Sequence, residues 1–233
     1  MADQLSRRDE LAANLAQVRA RIDAACDAAS RSHDDVVLVA VTKTWPTSDA
    51  VLLRDLGVTD LAENRDQEAA EKAAEVTGVR WHFVGQLQTN KARSVARYAD
   101  VVHAVDRDQL VDALAAGALR AGREVEALVQ VSLDGDPDRG GAQPDHVAAL
   151  ADRVAAADGL RLGGVMAVAP LDISAREAFA RLAAAAAEVR AAHPDAGVIS
   201  AGMSDDLEDA IAAGATHVRV GSAILGSRRG YLG

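Results

Sequence analysis

Cysteine is nearly missing from this chain, with Cys26 the only one in 233 residues. A single thiol excludes an internal disulfide framework and any thiolate-rich metal site, and it suits a reducing compartment. Lysine is almost as scarce: the sequence spells out 22 arginines but only Lys43, Lys72 and Lys91. Arginine serves wherever a surface needs only positive charge, but not where a deprotonated amine must attack a carbonyl. Each lysine therefore marks a position to inspect. Aromatic residues make up only 3%, so the core has to be built from Val, Leu, Ile and Ala, as closely packed helices around a sheet would be. Dense Lys/Arg runs are also missing, and the formal net charge is -10, which argues against a nucleic acid partner. No stretch reaches the ~20 uninterrupted apolar residues that cross a bilayer. The opening MADQLSRRDELAAN has no apolar signal core either, so no membrane partner and a cytoplasmic location are expected.

What is present alternates in a regular way. Leu11, Leu15, Val18 and Ile22 recur at helical spacing between Leu5 and Ser30, which predicts a leading helix. From Val36 the pattern changes to VVLVAV, a continuous β-branched run of the kind buried on both faces of a parallel sheet. Pro46 fits a first helical turn, and Thr47, Ser48 and Asp49 offer N-cap oxygens for the helix after that strand. Short apolar runs then alternate with helical stretches: DLAEN, WHFVG, DVVHAVD, VEALVQVSL, LGGVMAV, GVISAG and THVRVG. That is the order of an α/β (β/α)8 barrel of TIM type with an extra N-terminal helix. The alternative, an open doubly wound sheet, is disfavoured because TKTWPTSD stands where a dinucleotide glycine fingerprint would follow the first strand. One domain is expected, residues 1–33 forming the leading helix and 34–233 the barrel. DGDPDRGGAQP, residues 134–144, reads as a rim loop.

Three places could carry chemistry. Strand alternation puts Val37, Val39, Val41 and Lys43 on one side if extended geometry persists, so Lys43 points inward at the C-terminal rim. An amine enclosed there by apolar strand residues can form an imine; the bland alternative is a lysine that only caps the strand end. Farther along, AGMSDDLEDAI and THVRVGSAILG are consecutive strand-to-helix turns, in which Ser204 and the amides at Gly221 and Ser222 could surround a phosphate. Against that, Asp205 with Glu208 makes a capping box, and Asp206 adds negative charge unless these acids turn away. Arg219 lies one strand period before Gly221 and is either a ligand contact or one half of an internal ion pair with Glu63. In WHFVGQLQTNK, either Trp81 and Phe83 or His82 and Val84 face the interior. Trp81 and Phe83 read as packing, while Gln86, Gln88, Asn90 and Lys91 gather polar groups just past the strand. His33, His82, His103, His146, His193 and His217 show no metal-ligand spacing, so structural or exposed roles are expected and no metal is assigned.

Together VAVTKTWP, AENRDQEA, WHFVGQLQTNK, GMSDDLEDAI and VRVGSAILG resemble, in order and spacing, the pyridoxal phosphate homeostasis proteins (the YggS/PROSC family) across nearly the whole chain. The resemblance implies a barrel like the cofactor domain of alanine racemase, with pyridoxal 5′-phosphate (PLP) held as an internal aldimine, a Schiff base, on Lys43. It further implies Ser204, Gly221 and Ser222 as phosphate ligands, Arg219 as partner of the pyridine nitrogen, and Asn64 and Met166 near the ring. A cation at that nitrogen weakens the ring as an electron sink. The implied role is a monomeric carrier that buffers PLP without catalytic turnover, with PLP-dependent apoenzymes as recipients. Ala62, Arg65 and Gln86 depart from the family pattern, around the second and third strands. The second reading is an enzyme such as an amino acid racemase, which needs a second proton-transfer group opposite Lys43. Tyr98 and Tyr231 are the only tyrosines, and neither sits in a matching motif. A third reading, a lysine aldolase taking a sugar phosphate at the same loops, drops the cofactor.

Overall fold

The computed structural model describes residues 2–136 and 140–226, with side chains from residue 6 onward. A leading helix, α1 (Ala2–Ala28), precedes eight strands that alternate with helices. The strands are β1 (Val37–Val41), β2 (Asp60–Glu63), β3 (Arg80–Phe83), β4 (Val101–Val105), β5 (Val125–Gln130), β6 (Leu160–Met166), β7 (Val198–Ser200) and β8 (His217–Val220). Behind them come α2 (Thr47–Asp55), α3 (Asp66–Glu75), α4 (Ala92–Val95), α5 (Asp108–Ala121), α6 (Val147–Ala155), α7 (Ala175–Ala192), α8 (Leu207–Ala212) and α9 (Ser222–Leu225). Each strand runs parallel to the next and β8 pairs back onto β1, closing the barrel. Every strand run read from the sequence is a barrel strand, because valine-rich segments buried on both faces have no other stable place.

The barrel separates two kinds of surface. Inside, Val39 and Val41 of β1 meet Ala62, Val37 and Val84, while Val101, Ala104, Leu128 and Met166 form a second apolar group. Outside, Ala40 packs with residues of α1, α2, α8 and α9. The same alternation settles β3. Trp81 and Phe83 face outward under the helices, where the Trp81 indole donates to the Val76 carbonyl (3.0 Å), and His82 and Val84 face inward.

Helix α1 forms because its buried stripe, Leu11, Leu15, Val18, Ile22 and Cys26, needs a partner surface, which α8 and α9 supply. Polar residues of α1 and of the turn that follows it satisfy carbonyls left open where those helices end. Arg31 donates to Ile211 O (2.9 Å) and Ala215 O (2.7 Å), Asn14 to Ile224 O (2.9 Å) and Arg7 to Leu225 O (3.0 Å).

One junction differs from the expectation. Pro46 is the N-cap of α2, one position before the first turn, and no side-chain oxygen caps the helix. Asp49 accepts instead from Arg7 of α1 (2.7 Å), so a long-range ion pair near the positive end of the helix replaces the local cap. In the rim loop, Ala142 N donates to Gln130 O (2.7 Å) and Ser132 N to Ala142 O (2.9 Å), tying the returning chain to the end of β5. Residues 137–139 of that loop lie outside the described residues.

Gly164 on β6 has φ +146, and a Cβ there would come within 2.0 Å of the Val198 carbonyl oxygen on β7. Only glycine permits that approach. The Gly164→Ala variant is expected to lose about 2–4 kcal/mol of unfolding free energy, read from urea denaturation; an unchanged midpoint would show that β6 and β7 can separate freely.

Candidate functional site

The C-terminal ends of the strands define a mouth, and closure determines which segments meet there. In the β1–β8 pairing Val39 sits opposite Arg219 and Ala40 opposite Val220. A Cβ on Gly221 would lie 3.2 Å from the Val41 carbonyl oxygen, so the turn after β8 rides against the end of β1.

Lys43 does not continue the strand. Thr42 still pairs with β2 through its amide to Ala62 O (2.9 Å), but Trp45 N then returns to Thr42 O (3.1 Å) and Thr44 takes a left-handed φ of 70. The extended geometry therefore ends at Thr42, and Lys43 is exposed at the mouth rather than enclosed by the inward valines, which lie deeper. No hydrogen bond or ion pair engages its amine among the described residues. The turn is anchored beneath it. Lys72 donates to Thr42 O (2.8 Å) and Glu63 Oε1 (2.5 Å), and the Thr42 hydroxyl donates to the same carboxylate oxygen (2.6 Å). The partner of Glu63 is thus Lys72, not Arg219. Burial pushes the Glu63 carboxyl up, with Lys72 and Thr42 opposing it.

Just past β2, Asn64 carries an enclosed Oδ1 with no partner among the described residues. Its carbonyl oxygen would lie 2.2 Å from a Cβ on Gly85. Met166 is buried in the interior apolar group at the end of β6. Gln86, Gln88, Asn90 and Lys91 are exposed beyond β3.

The two turns after β7 and β8 come together. The Ser222 hydroxyl donates to Ser204 Oγ (3.1 Å) and Ala223 N also reaches that oxygen (3.3 Å). The expected Asp205–Glu208 capping box does not form. Arg21 of α1 grips Glu208 through Nε (2.8 Å) and Nη2 (2.9 Å) and also donates to Ser204 O (2.9 Å), drawing that acid to the outside. Asp206 is the N-cap of α8, and its Oδ1 accepts from Met203 N (2.6 Å).

Arg219 is 5% exposed. Its Nη1 donates to Ser200 Oγ (2.6 Å) and Nη2 to Ala167 O (2.9 Å), and no carboxylate hydrogen-bonds to it among the described residues. Burial pushes the guanidinium down to about 10, opposed only by the charge of Asp206. The acceptors Ser200 and Ala167 did not stand out in the sequence. Nor did a hydrogen-bonded pair of buried histidines, His82 Nδ1 to His103 Nε2 at 2.8 Å, for which the only signal was inward parity on adjacent strands.

The family described as alanine racemase, N-terminal domain, matches residues 8–229. A pyridoxal phosphate homeostasis protein of Mycobacterium tuberculosis (strain ATCC 25618 / H37Rv) is 43% identical over 244 residues, spanning 96% of this chain and 95% of the relative. This chain belongs to the pyridoxal phosphate homeostasis protein family. The Escherichia coli (strain K12) protein of the same name is 38% identical over 228 residues, 94% of this chain and 97% of its own. Among solved structures, PipY of Synechococcus elongatus PCC7942 with PLP bound superposes with a TM-score of 0.81 at 32% identity, over 93% of this chain and all (100%) of that one.

The buried histidines give the family fold a pH signature here. Burial pushes His217 down to about 4 and holds His103 well below the ordinary value of 6.5. An unfolded chain binds those protons near pH 6.5 while the fold does not, so their contribution is complete above pH 6.5 and drains as pH falls toward 4. For His217 the loss is roughly 1.4 kcal/mol per pH unit within that window. The urea midpoint is expected to fall between pH 7 and pH 5, and less so in His217→Gln; equal slopes for both proteins would contradict the assignment.

Proposed function

We propose that this protein binds pyridoxal 5′-phosphate at the barrel mouth and acts as a carrier in PLP homeostasis. In this reading Lys43 holds the cofactor covalently, and Ser204 with the Gly221 and Ser222 amides takes the phosphate. Arg219 faces the pyridine nitrogen, and Asn64 and Met166 flank the ring. The observation that carries the reading is the 3.1 Å contact between Ser204 and Ser222, which joins two anion-binding turns next to the end of β1. The residues present fit the group: among the described residues no carboxylate hydrogen-bonds to the buried Arg219 guanidinium, and the enclosed Asn64 oxygen has no donor.

When bound, PLP supplies an aldehyde and an electron-withdrawing ring. Lys43 would supply the amine that holds the cofactor, since its exposed side chain has no competing partner among the described residues. Ser204 and Ser222 orient the anionic tail, with Glu208 held away by Arg21. Arg219 donates and cannot accept, so it leaves the ring nitrogen as an acceptor and restrains carbanion chemistry. Retention without turnover follows from that restraint. A racemase needs a second proton donor. Tyr98 gives its hydroxyl to Asp66 (3.4 Å), and burial pushes its phenol up, which makes it a poor acid; Tyr231 lies outside the described residues. The chain acts as one cofactor-binding unit, a cytoplasmic monomer that passes PLP to apoenzymes.

Borohydride reduction of PLP-loaded protein followed by peptide mapping is expected to modify the Lys43 peptide and spare Lys72 and Lys91. Lys43→Ala is expected to abolish the visible absorbance. Modification at another lysine, or none, would overturn the reading. Incubated with amino acids in deuterated water, the loaded protein is expected to show no exchange at the α carbon; sustained exchange would favour the racemase instead.

A further inference from the structure

The barrel interior holds a continuous chain of polar side chains of which the cofactor reading uses only Arg219. Arg219 Nη1 reaches Ser200 Oγ at 2.6 Å, and Ser200 Oγ lies 2.9 Å from His103 Nδ1. His103 Nε2 lies 2.8 Å from His82 Nδ1, His82 Nε2 lies 2.9 Å from Asp60 Oδ1, and Thr59 donates to Asp60 Oδ2 (2.7 Å). These residues come from β8, β7, β4, β3 and β2 and, apart from Thr59, are all buried. Asp60 begins its strand, at the end of the barrel opposite the mouth.

The ends of the chain dictate its direction. A guanidinium only donates, so Ser200 Oγ accepts from Arg219 and its own hydrogen goes to His103 Nδ1. The remaining hydrogen of His103 then sits on Nε2 and is donated to His82 Nδ1. His82 in turn donates from Nε2 to a carboxylate that can only accept. The reverse arrangement needs a doubly protonated His82 in a dry interior and strands the Ser200 hydroxyl hydrogen. Burial also keeps His103 neutral, reinforced by the other cationic groups near it. The charged or titratable groups facing the pair are Asp60 on β2, Arg80 on β3, and His217 and Arg219 on β8, with Glu126 on β5 acting on His217.

We propose that Asp60, His82, His103 and Ser200 are positioning residues for Arg219: a hydrogen-bond chain of single polarity that fixes the guanidinium and decides which of its hydrogens remain for the cofactor ring. The chain links a buried cation to a buried anion through neutral groups, so each bond polarises the next. Ser200 and the Ala167 carbonyl together hold both terminal nitrogens of Arg219, while its Nε makes no hydrogen bond among the described residues. The proposal rests on the reading of Arg219 as the ring partner, although the tautomers do not.

The test has two arms. With histidine labelled in ¹⁵N and no PLP present, long-range proton–nitrogen spectra are expected to show His82 and His103 both carrying hydrogen on Nε2, with His103 unchanged between pH 8 and 6. Hydrogen on Nδ1 of either ring overturns the chain whatever the protein binds. In the second arm, Ser200→Ala is expected to raise the PLP dissociation constant about tenfold and to shift the pH midpoint of the visible band. Val198→Ala, on the same strand but outside the chain, is expected to leave that midpoint in place. A merely structural Ser200 would lower stability without moving the midpoint, and that outcome overturns the positioning role. Failure of the unaltered protein to bind PLP overturns the underlying reading, and the positioning role with it, even where the tautomers are as expected.

Discussion

The pairing of the first strand with the last is the constraint on which the mouth depends. Val37 to Ala40 lie against His217 to Val220, which brings together segments nearly two hundred positions apart in the chain. Without that register Lys43 would be one more exposed lysine, and the turns after β7 and β8 would be ordinary helix starts. Helix α1 secures the same seam from outside. Its apolar stripe packs with residues of α2, α8 and α9, and its Arg7 and Arg21 engage the Leu225 carbonyl of α9 and the Glu208 carboxylate of α8. The leading helix is therefore part of what holds the site together.

Inside, the barrel divides its filling unevenly. Val39, Val41, Ala62 and Val84 make one apolar side, and Val101, Ala104, Leu128 and Met166 another. Between them runs the polar series from Asp60 to Arg219. Burying a cation costs on the order of several kcal/mol unless it is compensated, and here the compensation comes through hydrogen bonds, not a direct ion pair. The Glu63–Lys72 pair is the opposite case, with direct contact at 2.5 Å, and it braces the Thr42 turn from which Lys43 projects. One arrangement leaves the Arg219 Nε without a hydrogen bond among the described residues, and the other uses its lysine to hold backbone in place.

Much of this was legible in the sequence. VVLVAV and THVRVG can only be buried parallel strands, and their spacing through helical stretches fixes the barrel. Ser204, Gly221 and Ser222 fell into recognisable strand-to-helix turns. Other features depended on tertiary partners that no local pattern encodes. Asp49 looked like a cap until Arg7 took it, and Glu208 looked like half of a capping box until Arg21 did. Glu63 seemed the natural counter-ion for Arg219, but Lys72, nine positions on along α3, reaches it first. His82 and His103 looked unrelated because their contact depends on the stagger between β3 and β4, which a parity argument alone does not supply.

A crystal structure of the protein grown with PLP tests the central claim most directly. The account expects the phosphate between Ser204 and the Ser222 amide, a covalent link from the cofactor to Lys43 Nζ, and the ring nitrogen facing Arg219. A cofactor bound elsewhere on the barrel, or one whose phosphate avoids the two turns, would contradict it.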